Sequence, residues 1–381
     1  MLLIRSVTVF DAIHEDPFVA DILIKNGKFE DIGDNLPPDG AQVIDGTGLY
    51  AFPGFIDAHS HLGMDGYGIG YEGADYNEMN DIVSPQLRAI DGFKPMQPST
   101  RAAVLAGVTT VVTGPGSANV LGGTFIAVKT VGRRADDMLL RDNVAMKCAF
   151  GEKPKRVYRD KADSSRMTTA SKLREALFKA REYMTKLEAA GYDASKKPGF
   201  DMKMEALLPV LRGEMPLKAH AHATDDIFTA LRIPRELDVK ITLEHVTEGH
   251  LIVEELAQEK VPLAIGPTLS HASKFELRNI TFETPGILAK AGCDVSIITD
   301  APVIPQEYLP LCAGLAVKSG MDRFDALKAI TINPARHAGI DDRVGSIEVG
   351  KDADLVLTNG CPFEVATVVK AVYVNGKKVE A

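Results

Sequence analysis

The nine histidines of this chain are unevenly placed, and several of them stand at the ends of apolar, β-rich runs. His59 and His61 lie in Pro53-Gly-Phe-Ile-Asp-Ala-His-Ser-His-Leu-Gly63. Residues two apart on a strand point the same way, so this pair aims two imidazoles at one point. Two neutral imidazoles on one face form a clamp for a borderline cation such as zinc. A lone HxH is a weak signal; a Pro-Gly entry and a buried strand in front of it strengthen it. His220 and His222 close a second run, Pro216-Leu-Lys-Ala-His-Ala-His-Ala. His245 closes a third, Ile241-Thr-Leu-Glu-His-Val, and Asp300 a fourth, Val295-Ser-Ile-Ile-Thr-Asp. Any one of these alone reads as a hydrogen-bonded residue at a strand end. Four such sites together point to one metal-centred cluster.

The segments that must carry these groups alternate strand-like and helix-like character. Strands are expected at 54–59, 108–113, 144–150, 217–220, 240–244, 261–265 and 295–299. Helices are expected at 98–106, 171–190, 225–237, 251–258, 283–290 and 321–330. The alternation predicts a parallel sheet covered by helices, and runs this apolar fit strands buried on both faces. Each polar group then falls at the C-terminal end of its strand, where barrel enzymes place catalytic residues. Only seven strands are legible, and the early part of the strand order is left open.

Both ends of the chain differ from this middle. Residues 1–52 are short strands broken by turns, with Asn26-Gly27 as a hairpin signal and Pro37-Pro-Asp-Gly40 as a turn. Residues 345–381 repeat the character, with a strand that again ends in Asn-Gly, at Asn375-Gly376. Two independent β arms would leave sheet edges unpaired, so both ends are read as one composite β-sandwich domain beside a barrel over 53–344.

At 381 residues the chain accommodates one barrel of about 250 residues and a smaller satellite. With 43 basic and 52 acidic residues the formal net charge is −9, and no Lys/Arg stripe offers a nucleic-acid surface. The densest basic patch, Lys153, Lys155, Arg156 and Arg159, reads first as a solvated loop or helix start. The four cysteines are far apart, without a CxxC pair, so neither a disulfide framework nor a cysteine zinc site is expected, and a reducing cytoplasmic setting is the simplest reading. Neither a signal peptide's apolar run nor a membrane span is seen, so no membrane partner is expected.

The PGFIDAHSH opening, the strand-end histidines, the late Asp300 and the tail Asn333-Pro-Ala-Arg…Gly345-Ser-Ile-Glu-Val-Gly-Lys-Asp-Ala-Asp-Leu resemble the amidohydrolase superfamily. The branch closest in pattern is that of imidazolonepropionases and Xaa-Pro dipeptidase-like enzymes. The resemblance spans nearly the whole chain. It implies a (β/α)8 barrel and metal ligands at His59, His61, His220, His245 and Asp300, holding one or two divalent ions, zinc first. His222 shares the face of His220 and would bind substrate or replace it. Many relatives bridge two metals with a carboxylated lysine or a glutamate after the fourth strand. Glu152, at the strand exit, is the candidate bridge; Lys147 fits a carboxylated lysine but lies deep in the strand.

The implied chemistry is hydrolysis of a cyclic or other non-standard amide C–N bond in a small polar substrate. A zinc-type cation lowers the pKa of bound water to about 7. Asp300 then serves as general base towards water and general acid towards the leaving nitrogen. Glu244 either orients a ligand or is an exposed strand-end acid. The insert 64–95 follows the first metal motif, and long loops at an active face are usually functional. It offers Tyr67, Tyr71, Glu72 and Arg88 as substrate contacts, and His271 is a further one. The glycine-rich stretch 113–124 is a tight loop whose N–H groups either contact a substrate carboxylate or only make the turn. His14, His250 and His337 read as surface or structural. A dipeptidase or deaminase on the same metal core, a non-hydrolytic lyase or isomerase, and a non-catalytic scaffold are the alternatives. Relatives commonly associate, so a homo-oligomer is expected.

Overall fold

The computed structural model describes residues 1–380. The first 53 residues form β1 (Leu2–Val9), β2 (Phe18–Lys25), β3 (Lys28–Gly33), β4 (Gln42–Asp45) and β5 (Tyr50–Pro53). The middle supplies β6 (Phe55–Ser60), β7 (Val108–Thr113), β8 (Leu121–Thr124), β9 (Ile126–Lys129), β10 (Leu139–Arg141) and β11 (Met146–Ala149). It continues with β12 (Leu217–Ala221), β13 (Ile241–His245), β14 (Leu263–Ile265) and β15 (Val295–Ile297). The C-terminal strands are β16 (Leu355–Thr358), β17 (Val369–Val374) and β18 (Lys377–Lys378).

Strands from both ends share one eight-stranded sheet, in the order β18-β17-β16-β5-β1-β2-β3 with β4 on β1. The joint is tight. Asn26-Gly27 and Asn375-Gly376 each turn a hairpin with φ positive at both residues, as a type I′ turn demands. The two hairpins meet at Ala353, whose N–H donates to the Gly27 carbonyl and whose own carbonyl accepts from the Gly376 N–H. A β-sandwich was expected here; all these strands instead belong to a single hydrogen-bonded sheet, because β16 pairs directly with β5 and carries the C-terminal strands onto its edge.

The middle is α/β, with every residue of β6, β7, β11 and β12 buried. Parallel pairing joins β6 to β7, and β11 through β15 in order. Between β7 and β11 lie β9, antiparallel to β7, and β8, antiparallel to β11. This short, glycine-rich pair fills the position in the strand order that the sequence left open. The expectation of a closed barrel is corrected: the strands form a four-stranded and a six-stranded sheet rather than one continuous ring. A few hydrogen bonds hold each seam. At one, Phe125 N–H donates to the Ala145 carbonyl and Val144 N–H to the Phe125 carbonyl. At the other, β15 ends after three residues, too short to ladder along β6. There His61 N–H donates to the Ala301 carbonyl at 2.8 Å, and the Asp57 carboxylate accepts from the Thr299 N–H at 3.0 Å and the Thr299 hydroxyl at 2.6 Å.

Helices cover the outside. Arg166–Ala190 starts at Ser165, whose hydroxyl accepts from the Thr168 N–H, and it stops at Gly191. Thr224–Leu237 buries Ile227, Ala230, Leu231 and Ile233 at helical spacing and ends at Asp238 in the left-handed region. None of the described helices is long and apolar enough to cross a membrane. All four cysteines are free thiols.

Candidate metal centre

The expected side chains converge. His59 Nε2 lies 3.6 Å and His61 Nε2 3.3 Å from Asp300 Oδ1. The His245 ring centre is 5.1 Å from that of His59, 4.3 Å from His220 and 4.6 Å from His222. Ligand atoms of His220, His222 and His245 lie within 4.8 Å of one another, as do those of His59, His245 and Asp300. Two potential coordination sets therefore share His245.

Main-chain and side-chain anchors aim these rings. His61 Nδ1 is 2.7 Å from the Gly114 carbonyl, and His245 Nδ1 is 2.8 Å from the Gly266 carbonyl. Residue 114 must be glycine, since a Cβ there would sit 2.4 Å from the Phe125 ring. His222 Nδ1 meets the Thr247 hydroxyl at 2.7 Å. His245 ends β13 and Asp300 lies three residues beyond β15, with φ of 76° and 53°. Such conformations cost on the order of 1–3 kcal/mol and persist where the surroundings over-determine them.

His59 is held differently, by a buried charge cluster. Its Nδ1 lies 3.0 Å from Glu244 Oε2. The same carboxylate receives Lys218 Nζ at 2.8 Å, His337 Nε2 at 2.9 Å and the Thr242 hydroxyl at 2.7 Å. Glu244 is completely buried, so the surface reading of that residue is corrected, and His337 is a core residue rather than a surface one. Burial alone would raise the Glu244 carboxyl, but Lys218 and the histidine partners outweigh it and hold it well below the usual carboxylate range.

Burial pushes His59, His220 and His222 well below the ordinary imidazole value, and His245 down to about 4. Neutral rings are the form that ligates a metal. Asp300 is held below the ordinary carboxylate range: burial opposes this, and His245, His61 and His59 outweigh burial. Lys147 is wholly buried with Nζ 3.2 Å from His59 Nε2, and burial brings its amine down to about 8.

The remaining expected contacts lie elsewhere. Glu152 opens the helix Glu152–Tyr158 with its carboxylate towards Arg156 at 3.8 Å, and it joins neither ligand set. The strand ends three residues earlier and Glu152 starts the helix, its side chain on the helix surface, so Lys147 is the group that reaches the cluster. Tyr71 is 85% exposed, Arg88 pairs with Asp142, and His271 is exposed. The insert instead supplies Tyr76, stacked on His61 with ring centres 5.0 Å apart. Lys274 Nζ lies 3.1 Å from His222 Nε2 and 2.6 Å from Glu276 Oε1, and Glu276 Oε1 is 3.8 Å from Nε2 of both His220 and His222. These loop residues carry no periodic signal in sequence.

A metal fits this donor set. His220 is buried, and neither of its ring nitrogens has a hydrogen-bond partner. Buried polar atoms are seldom left so, and each such case calls for a partner such as an ion or water. Neutral imidazoles beside an ionised carboxylate are zinc-type chemistry.

A family model described as the amidohydrolase family matches residues 50–379. A solved structure described as an amidohydrolase from Thermotoga maritima MSB8 is 42% identical, with 100% of each chain covered and a TM-score of 0.97. Among curated proteins, the amidohydrolase tasK of Hapsidospora irregularis is 26% identical over 94% of this chain and 40% of its own length. An adenine deaminase of Clostridium perfringens is 26% identical over 99% of this chain and 58% of its own length. This chain thus spans about half the length of these two curated relatives.

Proposed function

The chain belongs to the amidohydrolase family, and on that premise we propose that it is a metal-dependent hydrolase of a cyclic or otherwise non-standard amide. The observation that carries this reading is the meeting of His59, His61, His220, His245 and Asp300 around shared space, with His220 unpartnered. These residues, with His222 as the alternative to His220, would hold one or two zinc-like ions. A divalent cation there would polarise a substrate carbonyl and acidify water.

The chain's own residues supply the rest. Asp300, ionised and within reach of His61 and His59, takes the proton of the attacking water on a carboxylate oxygen and returns it to the leaving nitrogen. Glu244 fixes the ring of His59, which keeps Nε2 directed at Asp300. Lys147, rather than Glu152, would be the residue to bridge two ions: its buried amine, brought down to about 8 and 3.2 Å from His59 Nε2, would supply a carboxylated lysine for such a pair. Lys153 supports an anionic substituent on the substrate. It has no ion pair among the described residues, and burial, Lys274 and Arg156 lower its ammonium while Asp300 and Glu276 raise it.

Deamination is the second reading, favoured by the adenine deaminase likeness. Lys153 and Lys274 favour an acidic substrate over a neutral purine. The test is turnover of carboxylate-bearing cyclic ureides, N-acyl amino acids, dipeptides and adenine by zinc- and manganese-loaded protein, in ¹⁸O-labelled water. Label in a ring-opened or deacylated acid supports the reading; ammonia from adenine alone replaces it with the deaminase. Asp300→Asn is expected to keep fold and metal while turnover drops by about 10²–10⁴, and a fully active variant would refute its role.

A further inference from the structure

The opposite end of the strands carries a second feature. The histidine cluster stands at the C-terminal ends of β12 and β13, whereas a cavity of about 560 Å³ opens at the N-terminal ends of β11 to β14, beside Val144, Pro216, Ile241 and Pro262. That end of such folds ordinarily serves stability. Here it is charged. Five cations line the cavity against two carboxylates, and Arg235 engages one of those, Glu259. Arg141, Lys240, Lys260 and Arg336 form no ion pair among the described residues, although the chain as a whole carries net charge −9.

Its floor is polar as well. His337 lines the cavity, is 7% exposed, and keeps Nδ1 without a partner while Nε2 is committed to Glu244. Thr242, also in the lining, donates to the same carboxylate oxygen. A rim of cations without ion pairs around one cavity is what an oxyanion would satisfy. Leu231, Val239 and Val261 add apolar wall, enough for the carbon body of a small molecule.

We propose that this cavity binds a small organic anion of the phosphate-ester class. The anionic head is held by Arg141, Lys240, Lys260 and Arg336, and the carbon body lies on Leu231, Val239 and Val261. The site is separate from the metal cluster but touches it through one carboxylate, since Glu244 holds His337 with one oxygen and His59 with the other.

The experiment is calorimetric titration of the full-length protein with phenyl phosphate at fixed ionic strength. Wild type should bind one equivalent. The Lys240→Gln/Arg336→Gln double variant, changed only at exposed rim positions, should bind about tenfold or more weakly, as expected for two lost charge-assisted contacts. Lys274→Gln, at the other end, should bind as wild type does. Absence of binding to wild type overturns the proposal, and so does equal binding by the double variant, including the case where only Lys274→Gln weakens it.

Discussion

Replacing Glu244 by Gln tests the idea that one buried carboxylate organises the site. The substitution preserves size but removes the counter-charge of Lys218, which is 1% exposed. All four neighbours of the carboxylate can donate to it: Lys218 and His59 at Oε2, His337 and Thr242 at Oε1. Whichever side receives the new amide N–H therefore faces a donor. Breaking a buried ion pair by removing one partner costs about 3–5 kcal/mol, read as a lower urea midpoint at an unchanged slope. Metal affinity should fall about 10–100-fold, because His59 loses the group that fixes its ring. The pH dependence has a definite sign. Burial already lowers the Lys218 ammonium, and Glu244 opposes that. Without Glu244 the folded state releases the proton at still lower pH while the unfolded chain keeps it, so the variant's stability climbs as pH rises through that window. Lys218→Met in the same background should restore more than half of the loss. A cost below about 1 kcal/mol, the value of an ordinary surface pair, with no recovery on adding Lys218→Met would refute the reasoning.

Three further outcomes are expected. Lys147→Met should reduce metal content and turnover by about tenfold or more, whereas Glu152→Gln should stay within about twofold in both, measured by elemental analysis and initial rates. In metal-free protein, wild type should gain stability over Lys147→Met between about pH 8 and 10.5, because the folded amine is neutral there while the unfolded chain still holds its proton. The full gain is about 3 kcal/mol, read as the difference in unfolding midpoints across that range. Cys148 and Cys312, both buried with thiols pushed up to about 12, should resist alkylation at pH 8 until the protein is unfolded, as followed by mass spectrometry.

The meeting of the histidines and Asp300 was legible because it obeys a simple rule: a polar group terminates each apolar run. His59, His220, His245 and Asp300 follow that rule in sequence and meet in space. The charged residues behind them were harder to see, although a signal existed. Lys218 and His220, like Thr242 and Glu244, are two apart on their strands and share a face. Composition argues against burying Lys and Glu, and only their pairing across neighbouring strands permits it. β8 and β9 were missed for another reason. Gly122-Gly123 has poor strand propensity, yet Gly123 adopts φ 106° with its Cβ position 2.3 Å from the Leu87 carbonyl, where no side chain fits. Glu152 was misplaced because a strand exit in sequence does not tell which way the first helical residue points. Tyr76, Lys274 and Glu276 come from loops, where no period constrains direction.

The mixed terminal sheet bears on how the molecule is made. β5 runs directly into β6, the strand that delivers His59, and one edge of β5 is covered only by β16, some three hundred residues later. During synthesis that edge stays open until Leu355–Thr358 has emerged, and an open edge invites pairing with another chain. A chain cut short before Leu355 would thus keep its helices and inner strands, but the strand leading into His59 would be paired on the β1 side alone. Strands β16 to β18 act as a latch that closes on β5 after the middle strands have been made.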